Sequence, residues 1–260
     1  VLHTGGHERQ SLLGANIALV LGIQAMDFTF IVTETPVLQL PVYAATGQFF
    51  SPAAGRLSFV LGLQGACFPT DTACSTALVA THLAAGMLRD AQCDGAISVG
   101  VNIMLYPMVH VLTANSGMTS RDGRCKFLDN RANGYVRSEG VGTLLLEPED
   151  DADATTRMGM DVPGSSVRSD GKSASLTAPN GEAQVRLLAV VISRGGIAAD
   201  DVHVTECHGT GTALGDPIEA TSLRQVLMPL GREGVLHLGG IKANLGHMEP
   251  GAGQVGLFKL

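Results

Sequence analysis

Apolar and polar positions along the chain form blocks that predict strands alternating with helices. Continuous apolar runs predict buried strands, and apolar residues spaced three and four apart predict helices. The predicted strands cover residues 16–22, 61–70, 96–102, 141–147, 202–206 and 235–242. The predicted helices cover residues 51–61, 74–89, 106–115, 182–195 and 218–227, and a last helix follows the glycine-rich turn 244–253. This alternation predicts an α/β fold.

The weakest pattern in the chain is the acidic segment 148–163, which predicts a linker between two halves, residues 1–150 and 151–260. Residue 1 is valine rather than methionine, and residues 253–260 stop within a helical pattern. Both ends are therefore expected to be truncated, the second half incomplete, and the absence of targeting signals uninformative. No apolar run reaches the about 20 residues that a membrane-spanning helix requires.

Composition limits the kind of core and the kind of partner. Of the 260 residues, 45% are hydrophobic, 33 are glycine and none is tryptophan, so the core is expected to consist of small aliphatic side chains and closely packed backbone. The net charge of -7 and the absence of a lysine and arginine cluster argue against a nucleic-acid surface.

The cysteines indicate a reducing environment. Five cysteines, at positions 67, 74, 93, 125 and 207, are scattered, odd in number and without a CxxC pair. This pattern favours reduced thiols in the cytoplasm or a plastid over a disulfide framework, and no metal site is expected.

Cys74 stands where a predicted strand and turn lead into a predicted helix. A helix N-terminus has unpaired N–H groups and partial positive charge, which favour a thiolate over a thiol. Strand, tight turn and nucleophile at a helix start also describe the nucleophile elbow, known best with serine. A buried cysteine that serves only packing is the alternative.

Two histidines follow predicted strands in glycine-rich surroundings, as a catalytic pair would. His208 precedes Gly-Thr-Gly-Thr, and His247 follows Leu-Gly. Glycine beside a histidine lets backbone and substrate approach closely. The other six histidines lack such flanks and are interpreted as surface or packing residues.

Several polar residues beside the histidines are candidates for support. Thr210 and Thr212 offer hydroxyl groups that could hold an amide-bearing substrate arm or cap the following helix. Asp216 is expected to cap that helix, with Pro217 at its first position. Glu219 is expected to form an ion pair with a buried Lys242, because a buried lysine needs such a partner.

These segments resemble the three active-site motifs of β-ketoacyl synthases, and most closely those of the ketosynthase domains of type I modular polyketide synthases. The motifs are Asp-Thr-Ala-Cys-Ser at 71–75, His-Gly-Thr-Gly-Thr at 208–212 with Gly-Asp-Pro-Ile-Glu at 215–219, and Lys-Ala-Asn-Leu-Gly-His at 242–247. Stretches at 43–47, 55–58, 122–126, 134–140 and 176–181 agree as well, so the resemblance covers nearly the whole chain.

The resemblance implies a thiolase-like α-β-α-β-α layered fold of two similar halves, dimeric in the complete protein. It implies that Cys74 accepts an acyl group from a phosphopantetheine thioester. A malonyl thioester on an acyl carrier protein would then lose carbon dioxide, and the resulting carbanion would attack the acyl group. His208 and His247 would assist decarboxylation and stabilise the enolate. No cofactor bound by the chain itself is expected.

The same resemblance implies supporting roles. Lys242 and Glu219, with Asp216 in the same motif as Glu219, would hold the surroundings of the histidines. Thr210 and Thr212 would contact the pantetheine arm. The backbone N–H of Cys74 would supply half of an oxyanion hole.

His247 favours an elongating, decarboxylating enzyme, because initiating synthases of this superfamily carry asparagine at that position. The nearest alternative is a fatty-acid elongating 3-oxoacyl synthase, which shares all three motifs. A non-catalytic chain-length subunit of the same fold is a different class of protein, but such subunits replace the nucleophile that Cys74 provides. The chain departs from the family at Arg168, where asparagine is usual, and at 158–165, which is more polar than the strand expected there.

Overall fold

The computed structural model describes residues 1–24, 27–148 and 159–260. The chain folds into two compact units. The first contains Val1–Leu112, Ser138–Gly159 and Met248–Gln254, and the second contains Thr113–Arg137, Met160–His247 and Val255–Leu260. The predicted boundary between residues 150 and 151, and most of the predicted acidic linker, lie outside the described residues.

Up to residue 148, the described chain forms four strands and six α-helices. The strands are β1 (Ile17–Ile23), β2 (Cys67–Thr70), β3 (Gly95–Asn102) and β4 (Gly140–Leu146). The helices are α1 (Arg9–Leu12), α2 (Asp27–Glu34), α3 (Ala44–Gly47), α4 (Phe50–Leu61), α5 (Thr76–Arg89) and α6 (Pro107–Asn115). Short 3₁₀ turns cover Val37–Gln39 and Ala73–Ser75.

The sheet of the first unit has the order β2-β1-β3-β4. Strand β1 runs parallel to β2 and β3, so that Val20 lies opposite both Phe68 and Ser98. Strand β4 runs antiparallel to β3, with Thr143 opposite Val99. The parallel pairs require helical crossovers, which explains the predicted alternation of strands and helices.

Helices cover both faces of β1, which explains its continuous apolar sequence. Leu19 and Leu21 pack in one cluster with Ala54 of α4. Ala18 and Val20 point to the opposite face and pack with Ala80 and Ala84 of α5. The core is therefore built of alanine and aliphatic side chains, as the composition predicts.

After residue 159, the described chain forms α7 (Gly181–Gly195), β5 (Val204–Glu206), α8 (Gly215–Leu227), β6 (His237–Gly239), α9 (Lys242–Leu245) and α10 (Ala252–Lys259), with 3₁₀ turns at Ala199–Asp201 and Glu249–Gly251. Strands β5 and β6 pair in parallel, with Thr205 opposite Leu238. Cys207, Leu223 and Leu227 form a small core beside them. Asn180 caps α7 by accepting from Ala183 N at 3.3 Å, and Gly196 ends it at φ 63°, which confirms the predicted glycine stop.

The structure corrects two predicted strands. The sequence predicts a strand over 61–70, but Leu61 is the last residue of α4 and β2 covers only Cys67–Thr70. The sequence predicts a strand over 235–242, but β6 covers only His237–Gly239, and Lys242 is the first residue of α9. His247 therefore follows a short helix rather than a strand. Among the described residues, no helix combines the length and the apolar character that a bilayer crossing requires.

Candidate active site

Cys74 occupies a strained turn at the entrance to α5. The turn Ala73–Ser75 is a 3₁₀ helix that leads directly into α5, and Ala73 has φ 56°, in the left-handed region. Asp71 Oδ1 accepts from Ala73 N at 2.9 Å, and Thr76 Oγ1 accepts from Thr72 N at 2.8 Å. A side-chain-bearing residue with positive φ costs conformational energy and is a feature of functional turns. The geometry confirms the predicted sequence of strand, turn, cysteine and helix.

Glycines let this turn sit close to the sheet of the first unit. A Cβ on Gly22 would lie 2.9 Å from Thr76 Cγ2, and a Cβ on Gly100 would lie 2.8 Å from Ala77 Cβ. The start of α5 thus packs directly on the backbone of β1 and β3. The position of Cys74 is therefore set by close packing of backbone against helix.

Cys74 differs from the other cysteines in its environment. Cys74 is half-buried, and all five cysteines are free thiols that form no disulfide bond. Burial raises the pKa of the thiols of Cys67, Cys93 and Cys125. Burial, followed by the charges of nearby carboxylates, raises the pKa of Cys207 to about 12. Those four thiols are held in the protonated, unreactive form.

In the second unit, Glu219 holds the backbone of the His208 loop. Its Oε1 accepts from His208 N at 2.5 Å, and its Oε2 accepts from Gly209 N at 2.9 Å. Burial raises the pKa of this carboxyl, whereas the two N–H groups and the charge of Lys242 act in the opposite direction. The charge of Lys242 thus acts on Glu219, and their predicted ion pair stays a prediction. Glu219 also binds the His208 loop directly, which the sequence did not indicate.

The structure corrects the predicted role of Asp216. Helix α8 begins at Gly215 with Leu214 as the N-cap, so Asp216 lies inside the helix and does not cap it. Asp216 is buried, and its Oδ1 accepts from Gly211 N at 3.1 Å and Thr212 N at 3.3 Å. Its Oδ2 accepts from Leu128 N at 3.0 Å. Asp216 therefore ties two loops together.

The two threonines occupy different positions in the same loop. Thr212 Oγ1 accepts from Gly215 N at 3.1 Å, so its hydroxyl serves the start of α8, the second of its two predicted roles. Thr210 is buried, and its hydroxyl lies 3.5 Å from that of Thr212. Their contact with a substrate arm stays a prediction.

His247 is fully buried and is fixed by its backbone. Its N–H donates to Val136 O at 2.7 Å. Its ring meets those of Tyr135 and His208 edge to face, with centroid distances of 4.9 Å and 5.4 Å. Neither ring nitrogen has a hydrogen-bond partner within the described part of the chain. A buried polar group without a partner is costly, which is a mark of a group kept for chemistry.

Both imidazoles are held neutral. The protein surrounding the ring, and then the charge of Lys242, lower the pKa of His208 to about 4, although part of this residue's surface faces solvent. Burial, His208 and Lys242, in that order, lower the pKa of His247 to about 2. Lys242 is itself buried, so its charge acts through little solvent.

The second unit thus brings together seven of the eight predicted site residues: His208, His247, Lys242, Glu219, Asp216, Thr210 and Thr212. Cys74 lies in the first unit. Sequence reasoning gave no role to Tyr135 and Val136, which contact His247. The glycine-rich stretch 134–140 was the signal available for them, because it matches a family stretch outside the three motifs.

The two parts of the sequence match the two domains of one family. Residues 1–152 match the Beta-ketoacyl synthase, N-terminal domain, and residues 160–260 match the Beta-ketoacyl synthase, C-terminal domain. The chain belongs to the β-ketoacyl synthase family. The family resemblance predicted from the sequence is confirmed.

Among proteins similar to this β-ketoacyl synthase chain is one of the phenolphthiocerol/phthiocerol polyketide synthase proteins of Mycobacterium tuberculosis, 40% identical over 99% of this chain. The polyketide synthase GfsB of Streptomyces halstedii is 39% identical over 98% of this chain. The chain spans 12% of the length of the first relative and 5% of the second.

Solved ketosynthases have the same fold. The ketosynthase from module 6 of the bacillaene synthase of Bacillus subtilis 168 matches with a TM-score of 0.88 and 34% identity, over 99% of this chain and 44% of that one. The oxazolomycin ketosynthase domain of Streptomyces albus JA3453 matches with a TM-score of 0.85 and 31% identity, over 98% of this chain and 44% of that one. These matches confirm the predicted thiolase-like α/β fold.

Proposed function

We propose that this chain carries the condensing activity of a polyketide β-ketoacyl synthase, an acyltransferase. The Cys74 thiolate attacks the carbonyl carbon of an acyl thioester, forms an acyl–Cys74 thioester and releases the carrier thiol. A malonyl-type thioester then loses carbon dioxide, and the electron pair of the broken C–C bond forms an enolate. The enolate carbon attacks the acyl carbonyl, expels the Cys74 thiolate and leaves a 3-oxoacyl thioester.

The observation that carries the proposal is the pair of neutral imidazoles in the second unit. The ring centroids of His208 and His247 lie 5.4 Å apart, and their pKa values are lowered to about 4 and about 2. A neutral imidazole can donate an N–H to an oxygen on which negative charge develops. Such donors suit the enolate oxygen of the decarboxylation step.

Three charged residues are proposed as supporting groups, of which Asp216 and Lys242 are buried. Glu219 fixes the backbone of His208, and Asp216 fixes the loop that follows it. Desolvation is the main cause that lowers the pKa of both histidines, and the charge of Lys242 acts in the same direction. A fixed backbone and a fixed protonation state are what a preorganised donor pair requires.

The nucleophile is assigned to Cys74 because, of the five cysteines, it is the one in the 3₁₀ turn Ala73–Ser75 that leads into α5. Cys74 lies at a strained turn before a 14-residue helix. In the proposed division of the chain, residues 1–150 supply this nucleophile and residues 151–260 supply the two histidines.

The similar proteins favour polyketide over fatty-acid chemistry, because the curated relatives and the solved structures named above belong to polyketide synthases. The proposed substrates are thioesters carried on the phosphopantetheine arm of an acyl carrier protein, which is the proposed partner. Thr210 and Thr212 are proposed to contact that arm. In Thr212, the hydroxyl that accepts from Gly215 N retains its own hydrogen for donation.

A second copy of the chain is the other proposed partner. The first unit exposes large apolar side chains on and near α4, among them Leu38, Val42 and Phe59, which are 100%, 93% and 86% exposed. Large apolar side chains with this much exposure are candidates for a surface that another protein covers. A homodimer would remove them from water.

The proposed compartment is a reducing one. Five thiols without a disulfide bond fit such a compartment. The bacterial sources of the relatives give no support to the plastid that the sequence left open.

Condensation can be tested with the purified protein, an acyl thioester and a malonyl thioester. Formation of a 3-oxoacyl product supports the proposal, and a protein that accepts the acyl group on Cys74 but never releases a condensed product contradicts it. Polyketide-type and saturated starter thioesters offered in parallel separate the polyketide role from the fatty-acid role, and faster turnover of the saturated series would contradict the former.

A further inference from the structure

Phe127 lies between the two loops of the second unit that follow β5 and β6. A Cβ on Gly209 would lie 2.8 Å from Phe127 Cδ2, and a Cβ on Gly240 would lie closer still to Phe127 Cδ1. Neither position has room for a side chain, because non-bonded carbon atoms have their optimal separation at about 3.5–4.0 Å. The backbones of both loops therefore pack directly on opposite edges of one aromatic ring.

Each loop leads to one of the two histidines. Gly209 follows His208 directly. Gly240 follows β6 and accepts from Ala243 N at 3.1 Å, at the start of α9, and the chain from there continues to His247. The width of the ring from one edge to the other therefore sets part of the distance between the two segments that carry the imidazoles.

The ring itself has a fixed position. Asp129 N donates to Lys126 O at 3.3 Å, which closes a turn around Phe127, and Leu128 adopts φ 51° within that turn. Leu128 N donates to Asp216, the same carboxylate that holds the loop after His208. The ring also packs against the core that contains Cys207. A side chain anchored on its backbone and on the core can act as a spacer.

We propose that Phe127 is a positioning residue that sets the distance between the His208 loop and the segment leading to His247. It acts through the backbone at Gly209 and Gly240 and takes no part in the bond changes. The inference rests on the proposed function at one point, because it takes the two imidazoles as the hydrogen-bond donors of the decarboxylation step. A displacement of about 1 Å of such groups can cost on the order of a hundredfold in rate.

The first test is Phe127→Leu, which keeps an apolar side chain but removes the planar ring. We expect malonyl decarboxylation to fall on the order of tenfold, while acyl loading of Cys74 changes by less than about twofold. The Cε1–H signals of His208 and His247 in a ¹³C-histidine-labelled sample are expected to shift, because each ring sits in the ring current of its neighbours. Phe258→Leu, at a half-exposed position of α10, is the matched control and should leave all three readouts unchanged.

The second test is reciprocal. Gly240→Ala adds a Cβ that collides with the ring, so it should reduce decarboxylation and move the same histidine signals. Phe127→Ala combined with Gly240→Ala should lose less than the sum of the two single losses, because alanine lacks the Cγ and Cδ1 atoms that the added Cβ would meet first. Two substitutions that are harmful for unrelated reasons would instead add their effects.

The outcomes separate the inference from the proposed function. Unchanged histidine signals and unchanged decarboxylation in a folded Phe127→Leu protein would overturn the positioning role, as would additive losses in the double variant. If Phe127→Leu does not fold, Gly240→Ala is the deciding test. Histidine signals that do not shift in Gly240→Ala would then overturn the positioning role of Phe127. A wild-type protein that decarboxylates nothing would overturn the proposed function, while the histidine signals would still report on the spacer.

Discussion

The imidazole rings of His208 and His247 meet edge to face, with 5.4 Å between their centroids and 87° between their planes. An imidazole N–H lies in the plane of its ring, so two perpendicular rings present their donors in different planes. An oxygen atom has two lone pairs and can accept from both donors. Backbone hydrogen bonds hold both histidines in place. His208 N donates to Glu219, and His247 N donates to Val136 O.

Replacement of Cys74 by alanine should abolish acyl loading. The thiolate is the proposed attacking atom, and the other four thiols are kept protonated by their raised pKa values. Intact-mass and peptide spectrometry after incubation with an acyl thioester should find the acyl group on Cys74 alone. Cys93→Ser, at a buried thiol of the same unit, is the control that should retain the adduct. An adduct that persists in Cys74→Ala would contradict the assignment.

Replacement of His247 by alanine should impair malonyl decarboxylation more than acyl loading. The imidazole is assigned to the enolate oxygen, and loss of one donor to a developing oxyanion costs on the order of 10²–10³ in rate. Separate assays of carbon dioxide release and of the acyl–enzyme adduct measure how much each of the two activities is lost. His237→Ala, at an exposed position of β6, should change neither. Equal losses of both activities in His247→Ala would contradict the role.

Stability should decrease as the pH falls below 6.5. The two histidines have their ordinary pKa of 6.5 when unfolded, and values of about 4 and about 2 when folded. The unfolded chain therefore binds more protons, so the stability present above pH 6.5 is lost as the pH falls toward about 4 for His208 and further for His247. Denaturant unfolding across this pH range should show that the free energy of unfolding declines less steeply in the double variant His208→Asn/His247→Asn than in the wild type. An unaltered slope in that double variant would refute the explanation.

Replacement of Asp216 by alanine should destabilise the second unit. Three backbone N–H groups, those of Gly211, Thr212 and Leu128, would lose a buried carboxylate acceptor. Loss of such a partner costs on the order of 1–3 kcal/mol of the free energy of unfolding. Denaturant titration measures it, with Asp216→Asn expected to lie between wild type and Asp216→Ala. Wild-type stability in Asp216→Ala would show that the loops are held by other contacts.

Replacement of Phe59 by glutamate should weaken self-association. Phe59 is 86% exposed on α4, and a charge at the centre of an apolar interface is not tolerated without a partner. Sedimentation velocity should find a smaller dimer fraction than in wild type at equal concentration. Glu8→Gln, at an exposed position before α1, serves as a control for a change of charge alone. A dimer fraction equal to that of wild type would place the interface elsewhere.

The strands and helices were largely predictable because their signals are local. The apolar run at β1, the small-residue helix α5 and the glycine stop after α7 each encode their own element. The strands over 61–70 and 235–242 were exceptions, because an apolar run does not show where a short strand begins or ends next to a helix, as at Leu61 and Lys242. The cap assigned to Asp216 failed for a related reason. The sequence shows that a carboxylate stands near a helix start, but not which N–H groups it meets.

By itself, the sequence determined the α/β fold and the elbow that carries Cys74, and it singled out His208 and His247 as the histidines proposed to react. Those are properties of short segments, in which residue type and spacing fix local conformation and chemistry. Only the tertiary structure decided that the two imidazoles meet edge to face, that burial and Lys242 lower their pKa values, and that Phe127 lies between their loops. Distances and desolvation depend on segments far apart in the chain, so no local pattern contains them.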